Sequence, residues 1–479
     1  MNAPTLALAA DFPPAARADW LALVEKTLKG AGLASLAGRT PDGLAVEPLY
    51  TADDAPVAAA FPTAPRDGER AWDIRAAIAH PDPAHANAQI LEALAGGASS
   101  ILITIDPAGV EGVAIGSGQA LEGLLEGVAL DIAPIALDAG FLGAGCAEWL
   151  AAAAKASPAA GPAFHLDPLT AFAATGASPG PIESHLIAGA GLAARLAETY
   201  PKASLYRASG RVVHEAGGTP AQELAFAAAA ALSYAKALVR AGLAIEAAFA
   251  RVTLGLAVDG DALASIAKLR AARLIWTRIT GACGVAGRAR IEALSSRRML
   301  TRADPWTNLV RLTAAGFAAV VGGADAVVLG AFTDAIGLPT AQARRLARNT
   351  SLILMEEAHL GRVADPMAGT WAVEALTADL ARAAWTRFTA IEAAGGLAEA
   401  LRAGLIVGQI DEARANLKAA LACGETKIVG VTDFPGGAVG AVAIEPDAKI
   451  SAQAPDPRLP GPDSHCPALV PIRLEALAA

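Results

Sequence analysis

The chain has 479 residues, of which 54% are hydrophobic, and it carries a formal net charge of −9 at pH 7. This length can bury one large core together with a smaller accessory region. The negative charge argues against a nucleic-acid or anionic-membrane surface, because binding to either needs a basic face. No apolar stretch of about 18 residues runs without charges or Pro/Gly breaks, and the N-terminus has no basic leader, so we expect a cytoplasmic globular protein.

Residues 1–66 are rich in proline and alanine and are predicted to form an extension that wraps the surface of a partner. From about residue 70, short apolar runs alternate with alanine-rich amphipathic stretches, which is typical of βα units in a parallel sheet. Seven strands are predicted at 99–105, 129–137, 162–167, 204–209, 252–258, 290–296 and 325–331, with an eighth near 361–365. The spacing favours an α/β fold, a (β/α)8 barrel over residues 67–395, with a doubly wound sheet as the rival topology.

The stretch "SGRVVHEAGG", residues 209–218, ends one of these strands and precedes a clear helix start. Thr219 is the predicted N-cap, Pro220 the first helical residue and Gln222 the partner that completes a capping box. Gly217 and Gly218 then form the turn from strand to helix. Residues 396–435 are predicted to be helices that follow the barrel, and residues 436–479 form a Pro-rich tail.

Cysteines and histidines show no spacing typical of a metal site along the chain. Cys146, Cys283, Cys423 and Cys466 are far apart and form no C-x-x-C pair. We expect four reduced and buried thiols. The seven histidines are scattered, and none forms an H-x-x-x-H pair.

Residues 301–385 strongly resemble the methylmalonyl-CoA mutase family. The matching runs are "DPWTNLVR", "GLPT", "ARNT" and "LILMEEAHLGRVADPMAGTW", in that order, and a looser likeness extends from "EPLYT" (47–51) to "IVGVTDFP" (428–435). The resemblance implies a (β/α)8 barrel through which the coenzyme A arm of the substrate threads. It also implies radical chemistry with adenosylcobalamin, held by a domain after the barrel that we expect this chain to lack.

The same resemblance implies that the pocket has degenerated. Active members carry a tyrosine two positions after the arginine of W-x-I-R, an arginine for the substrate carboxylate, an S-G-Y-H turn and a T-H-S-Q-T-S strand end. The corresponding positions here are Ala77, Thr175, Arg211, Val212, Glu292 and Leu294. We therefore predict no catalytic residue in this chain. "DSHCPA" (463–468) resembles a cobalt-ligating D-x-H-x-x-G segment, but the glycine is missing and only 14 residues follow His465, so we do not predict a ligand there.

Three hypotheses remain open. The first is the small (beta) subunit of a heterodimeric mutase, which binds no cofactor alone and supports a catalytic large subunit that works with adenosylcobalamin. The alternative is the catalytic barrel of a split mutase that recruits a separate cobalamin-binding chain, with Arg211 replacing the lost carboxylate-binding charge. The third is a regulator that binds an acyl-CoA in the empty barrel.

Overall fold

The computed structural model describes residues 15–54, 70–157, 159–436, 440–452, 461 and 464–478. Eight parallel strands close into a barrel, in which the first and last strands pair. In chain order they are β1 (Asp73–Ile78), β2 (Ser100–Thr104), β3 (Ile135–Asp138), β4 (Ala163–Leu166), β5 (Ser204–Ser209), β6 (Val252–Val258), β7 (Arg290–Ser295) and β8 (Ala326–Val328). The (β/α)8 prediction is confirmed, and the pairing of Ala326 with Asp73 excludes the doubly wound sheet.

The eighth strand does not lie where the sequence predicted it. Residues 361–365 form turns and bends, and the missing strand is β1, at the start of the barrel. Its sequence "DIRAAI" places Asp73 and Arg75 among apolar residues, so the charges interrupt the hydrophobic run by which the other strands are recognised. By contrast, β5 and β6 are buried along their whole length and were predicted with their observed bounds.

Helices surround the barrel and follow its strands. They are α1 (Arg17–Leu28), α2 (Pro83–Ala95), α3 (Gly118–Leu124), α4 (Gly143–Ala153), α5 (Pro168–Thr175), α6 (Ile182–Thr199), α7 (Arg211–Glu215), α8 (Pro220–Arg240), α9 (Ile245–Ala250), α10 (Ala262–Ala282), α11 (Thr307–Val321), α12 (Ala341–Leu352), α13 (Trp371–Ala393), α14 (Leu397–Arg402), α15 (Leu405–Ala422) and α16 (Leu474–Ala478). Within the described ranges, no helix combines the length and the apolar character needed to cross a membrane.

The start of α8 confirms the predicted capping box. The Thr219 amide donates to Gln222 Oε1 at 2.8 Å, and the Gln222 amide donates to Thr219 Oγ1 at 3.4 Å. Gly217 has φ +99°, a left-handed conformation that a side chain would strain, and a Cβ on Gly218 would lie 2.4 Å from Val213. The two glycines are therefore required by the turn itself.

The N-terminal segment contacts the barrel through this same turn. A short hairpin pairs Gly38–Arg39 with Ala45–Val46, and Asp42 between them accepts hydrogen bonds from the Thr219 hydroxyl and the Ala221 amide. Residues 1–14 and 55–66 of the predicted extension lie outside the described residues. That the extension wraps a partner stays a prediction.

The described parts of the tail run over the loops at the carboxyl ends of the strands. Glu445 bonds through its amide to the Leu338 carbonyl at 2.9 Å, and Ala452 to the Pro107 carbonyl at 2.7 Å. Further along, Leu469 bonds to Ala173 at 2.8 Å. The three partners follow β8, β2 and β4, so the tail crosses the face of the barrel on which enzymes of this architecture place their active sites.

The exposure of the cysteines differs from the prediction that all four are buried. All four are free thiols, but only Cys146 is buried, Cys466 is half-buried, and Cys283 and Cys423 are exposed. The latter two are the C-cap residues of α10 and α15, at helix ends that lie on the surface.

Candidate functional site

Four ionisable side chains from four strands meet inside the barrel. Glu292 on β7 has no exposed surface. Its carboxylate lies 3.3 Å from Arg75 Nη1 of β1, 3.7 Å from His165 Nδ1 of β4 and 3.8 Å from Arg207 Nη1 of β5. Side chains alternate between the two faces of a strand, so each of these strands turns a charged or polar residue inward.

Two further carboxylates complete the cluster, which we call the Glu292 network: Glu292, Arg75, His165, Arg207, Asp73 and Asp138. Asp73 lies 2.7 Å from Arg75 Nη2, and Asp138 lies 2.9 Å from Arg207 Nη2. Each guanidinium is therefore held between two carboxylates. Buried charges are tolerated when they are paired in this way.

The network holds His165 neutral. Burial, together with the positive charges of Arg207 and Arg75, keeps the pKa of His165 well below its ordinary value. Burial also opposes the charge on Arg207, but Asp138, Glu292 and Asp167 outweigh it and raise the pKa of Arg207. The result is a set of buried ion pairs around a neutral imidazole.

A layer of apolar side chains adjoins the network. Leu294 lies two residues after Glu292 on the same face of β7, and it is buried. It belongs to a cluster with Leu102, Ala136, Ala163 and Val328, which come from four other strands. Side chains of the charged network and of this cluster come from seven of the eight strands and pack inside the barrel, and Arg75 also lines a cavity at one end of it.

Beyond this filling, a cavity of about 770 Å³ opens where β1 and β8 end. Ala77 lies in its wall and is exposed, with Arg297 and Asp334 nearby in the lining. Ile450 and Arg473 of the tail also line it. Of the six predicted pocket positions, Ala77, Glu292 and Leu294 therefore occupy or border the barrel interior.

Arg211 and Val212 lie in the short helix α7, just after β5. Arg211 Nε is 3.1 Å from Glu215 Oε1, and Nη2 donates to the Ser295 carbonyl at 3.2 Å. Burial lowers the pKa of Arg211, although Glu215 opposes that effect. Val212 is half-buried and packs against the core. Neither residue lines the cavity, so Arg211 is occupied in bracing the ends of β5 and β7.

Thr175 is the last residue of α5 and is exposed. Its hydroxyl lies 2.8 Å from the Ala171 carbonyl and 2.7 Å from the Ala177 carbonyl. It is not among the described residues that line the cavity. The structure therefore does not bring Thr175 together with the other predicted positions.

The segment around His465 lies against the loop after α5. His465 forms an antiparallel bridge with Ala177, and its neighbour Cys466 donates through its amide to the Gly176 carbonyl at 2.9 Å. The His465 residue is exposed. That it is not a cobalt ligand stays a prediction.

Most of the Glu292 network was not predicted from the sequence. Arg75 was noted only as the arginine of the W-x-I-R motif, Arg207 only as part of a strand, and Asp138 was placed just outside one. The available signal was a charged residue at an inward position of an otherwise apolar strand, seen three times, in "DIR", "LYRAS" and "RIEAL". Such residues must find partners in the barrel, because an isolated buried charge is costly.

The fold and its interior define the class: a (β/α)8 barrel protein whose interior is filled by ion pairs and apolar side chains, and whose active-site face is crossed by its own tail. The methylmalonyl-CoA mutase family model matches residues 39–448. The chain belongs to the methylmalonyl-CoA mutase family.

Several relatives share most of the chain. The methylmalonyl-CoA mutase small subunit of Streptomyces virginiae is 40% identical over 453 residues, covering 90% of this chain and 72% of the relative. The probable small subunit of Mycobacterium tuberculosis H37Rv is 38% identical, covering 85% and 67%. The small subunit of Propionibacterium freudenreichii subsp. shermanii is 33% identical, covering 92% and 72%. A methylmalonyl-CoA mutase of Rhizobium meliloti is 31% identical, covering 87% and 63%.

Proposed function

We propose that this chain is the small (beta) subunit of an adenosylcobalamin-dependent methylmalonyl-CoA mutase, which interconverts methylmalonyl-CoA and succinyl-CoA. The chain does not itself catalyse the reaction, and it supports a catalytic large subunit in a heterodimer. The names of three relatives, each a small subunit at 33–40% identity, support this role. We further propose that the complex works in the cytoplasm.

The observation that carries the proposal is the filling of the barrel. The family resemblance makes the barrel the passage for the coenzyme A arm, and in this chain Arg75 and Arg207 both form ion pairs with Glu292 there. A ligand entering this passage would have to break buried ion pairs and leave their charges unpaired, which is costly. Adenosylcobalamin supplies the radical when bound, and we assign it to the large subunit.

The split-mutase alternative has less support. It needs a charge for the substrate carboxylate, and Arg211 was its candidate. Arg211 is instead held by Glu215 and the Ser295 carbonyl. No other observation favours this alternative.

The first test is a tagged pull-down from native cytoplasm, followed by mass identification and a cobalamin absorbance spectrum of the complex. We expect a stoichiometric partner that has its own barrel and holds cobalamin. A small cobalamin-carrying partner without a barrel, together with mutase turnover, would overturn the proposal, since this chain would then do the chemistry.

A second test separates the regulator hypothesis from the proposal. Isothermal titration of the isolated chain with methylmalonyl-CoA or succinyl-CoA is expected to show no saturable binding. Saturable binding that is lost when Ala77, at the cavity wall, is changed to Trp would favour a regulator that binds an acyl-CoA.

A further inference from the structure

Two histidines and a glutamate meet where the tail crosses the end of β1. His80 follows β1 directly, His85 lies in the first turn of α2, and Glu445 belongs to tail residues 440–452. One ligand atom of each residue lies within 4.8 Å of the others. The cluster is separate from the Glu292 network, and the inference drawn from it does not rest on the proposed function.

The separations of Glu445 from the two histidines are close to those between ligand atoms of a zinc site. Glu445 Oε2 lies 3.2 Å from His85 Nε2 and 3.9 Å from His80 Nε2. Bonds of about 2.0–2.2 Å to a tetrahedral zinc ion place neighbouring ligand atoms roughly 3.3 Å apart. The pair with His85 already has this separation, and the pair with His80 needs a movement of less than about 1 Å to reach it.

The local charges favour a cation. Glu445 Oε1 is 2.7 Å from Arg344 Nη1, so this guanidinium pairs with the carboxylate. However, Arg344 Nη2 also lies 2.9 Å from Glu92 Oε2, so Glu92 offsets the guanidinium. The carboxylates of Glu445 and Glu92 together with the one guanidinium of Arg344 leave one negative charge beside the two imidazoles.

One hydrogen bond, at His80, indicates which of the three residues binds a metal most weakly. The Asp82 amide donates to His80 Nδ1 at 3.1 Å, so in the free ring the proton sits on Nε2. Binding a metal through Nε2 moves that proton to Nδ1 and breaks the bond to Asp82. His80 is therefore the weakest of the three ligands, and His85 and Glu445 are the stronger ones.

We propose that His80, His85 and Glu445 bind a divalent metal ion of the zinc type, which ties tail residues 440–452 to the start of α2. Two imidazoles and one carboxylate are a ligand set that zinc accepts, and they leave a fourth position open. His80 also lines the cavity of about 770 Å³, which gives water or an anionic group access to that position. The backbone bond from Glu445 to Leu338 holds the tail ligand in place.

The test uses the full chain without a histidine tag. Its exposed thiols, Cys283 and Cys423, are first alkylated, since free thiolates compete for zinc. The chain is stripped with chelator, loaded with Zn²⁺ and desalted, and its metal is counted by mass spectrometry. We expect about one ion per chain. Loading with Co²⁺ should give visible absorption bands typical of a tetrahedral site.

Three variants and a control sharpen the test. Glu445→Gln and His85→Ala are each expected to weaken Zn²⁺ binding at least tenfold, and His80→Ala less. His465→Ala, which removes an exposed histidine outside the cluster, is the matched control and should bind as the parent does. His85 is half-exposed, so its variant keeps the fold even if Glu445→Gln does not. Equal metal retention in the parent, His85→Ala and Glu445→Gln overturns the proposal.

A second measurement tests whether the metal holds tail residues 440–452 in place. Trypsin cleavage after the exposed Lys449 should slow when Zn²⁺ is added to the parent chain, and it should not slow in His85→Ala. Zinc should also raise the Tm of the parent and leave that of His85→Ala unchanged. A metal that binds without protecting Lys449 would contradict the tie between tail and barrel.

Discussion

The turn at the start of α8 and the Glu292 network lie at neighbouring levels of the same barrel, and they obey different constraints. The turn depends on backbone geometry: Gly217 must adopt a positive φ, and the Thr219 hydroxyl must accept a hydrogen bond from the free Gln222 amide at the start of the helix. The network depends on charge balance among side chains from distant parts of the chain. A barrel can therefore keep the turns that build it while the side chains of its interior change.

The two regions should also differ in how much stability each contributes. A helix cap stabilises through one or two hydrogen bonds, worth about 1 kcal/mol. A buried ion pair contributes little net stability, yet breaking it leaves a charge without compensation. Substitutions in the network should therefore cost more than substitutions in the turn.

The largest effect is expected for Glu292→Leu, which removes the carboxylate shared by Arg75, His165 and Arg207. We expect a loss of about 3–5 kcal/mol in the free energy of unfolding, measured by urea denaturation, because two guanidiniums lose a buried partner. Glu246→Gln, at an exposed position of α9, is the control and should change stability by less than about 0.5 kcal/mol. A loss below about 1 kcal/mol for Glu292→Leu would mean that the network is not a coupled unit.

The next effect concerns pH and Asp167, a neighbour of the network. Burial raises the pKa of Asp167 to about 6, although Arg207 and Tyr234 oppose it. In the unfolded chain an aspartate loses its proton near pH 4, so the folded state holds its proton longer as the pH rises. The contribution of this group to the free energy of unfolding is fully present below about pH 4. It is lost as the pH rises to about 6, and the loss amounts to up to about 3 kcal/mol.

Asp167→Asn isolates that contribution, because asparagine mimics the protonated acid at every pH. The free energy of unfolding of the parent, measured relative to that of the variant, should fall between pH 4 and pH 7. If the free energies of unfolding of parent and variant change with pH in parallel, Asp167 has the same pKa in the folded and the unfolded chain.

A smaller effect is expected in the turn, for Thr219→Ala. The variant loses the cap of α8 and the hydrogen bond to Asp42 of the N-terminal hairpin, and we expect it to unfold about 1–2 kcal/mol more easily. Thr277→Ala, at an exposed position of α10, should cost almost nothing and serves as the control. If Thr219→Ala lowers the free energy of unfolding more than Glu292→Leu does, the turn contributes more to stability than the network.

The sequence predicted the parts of the fold that depend on local patterns. The strands β5 and β6 are recognisable because they are buried along their whole length, and the box at Thr219 needs only a stretch of four residues. The strand β1 escaped detection because Asp73 and Arg75 face the interior and interrupt the apolar pattern. The charges that hid the strand are the ones that build the network.

The site was harder to predict for the same reason. Glu292 was recognised as a departure from the family pattern, but its partners Arg75 and Arg207 lie 217 and 85 residues away in the sequence. No local rule connects them until the barrel closes. Thr175 was assigned to the pocket from the family resemblance alone, and it lies exposed at the end of α5, apart from the described cavity lining.

Arg211→Ala is expected to have the smallest effect. It also separates the hypothesis that the large subunit catalyses the reaction from the hypothesis that this chain does. Arg211 lies in the segment that joins β5 to the turn, and its guanidinium bonds only to Glu215 and the Ser295 carbonyl among the described residues. If the large subunit does the chemistry, the assembled complex should keep its kcat and its KM within about twofold, since only a brace between two strand ends is lost. If this chain binds the substrate carboxylate, kcat/KM should instead fall by at least a hundredfold, because a charge-assisted bond worth about 3 kcal/mol disappears from a buried pocket.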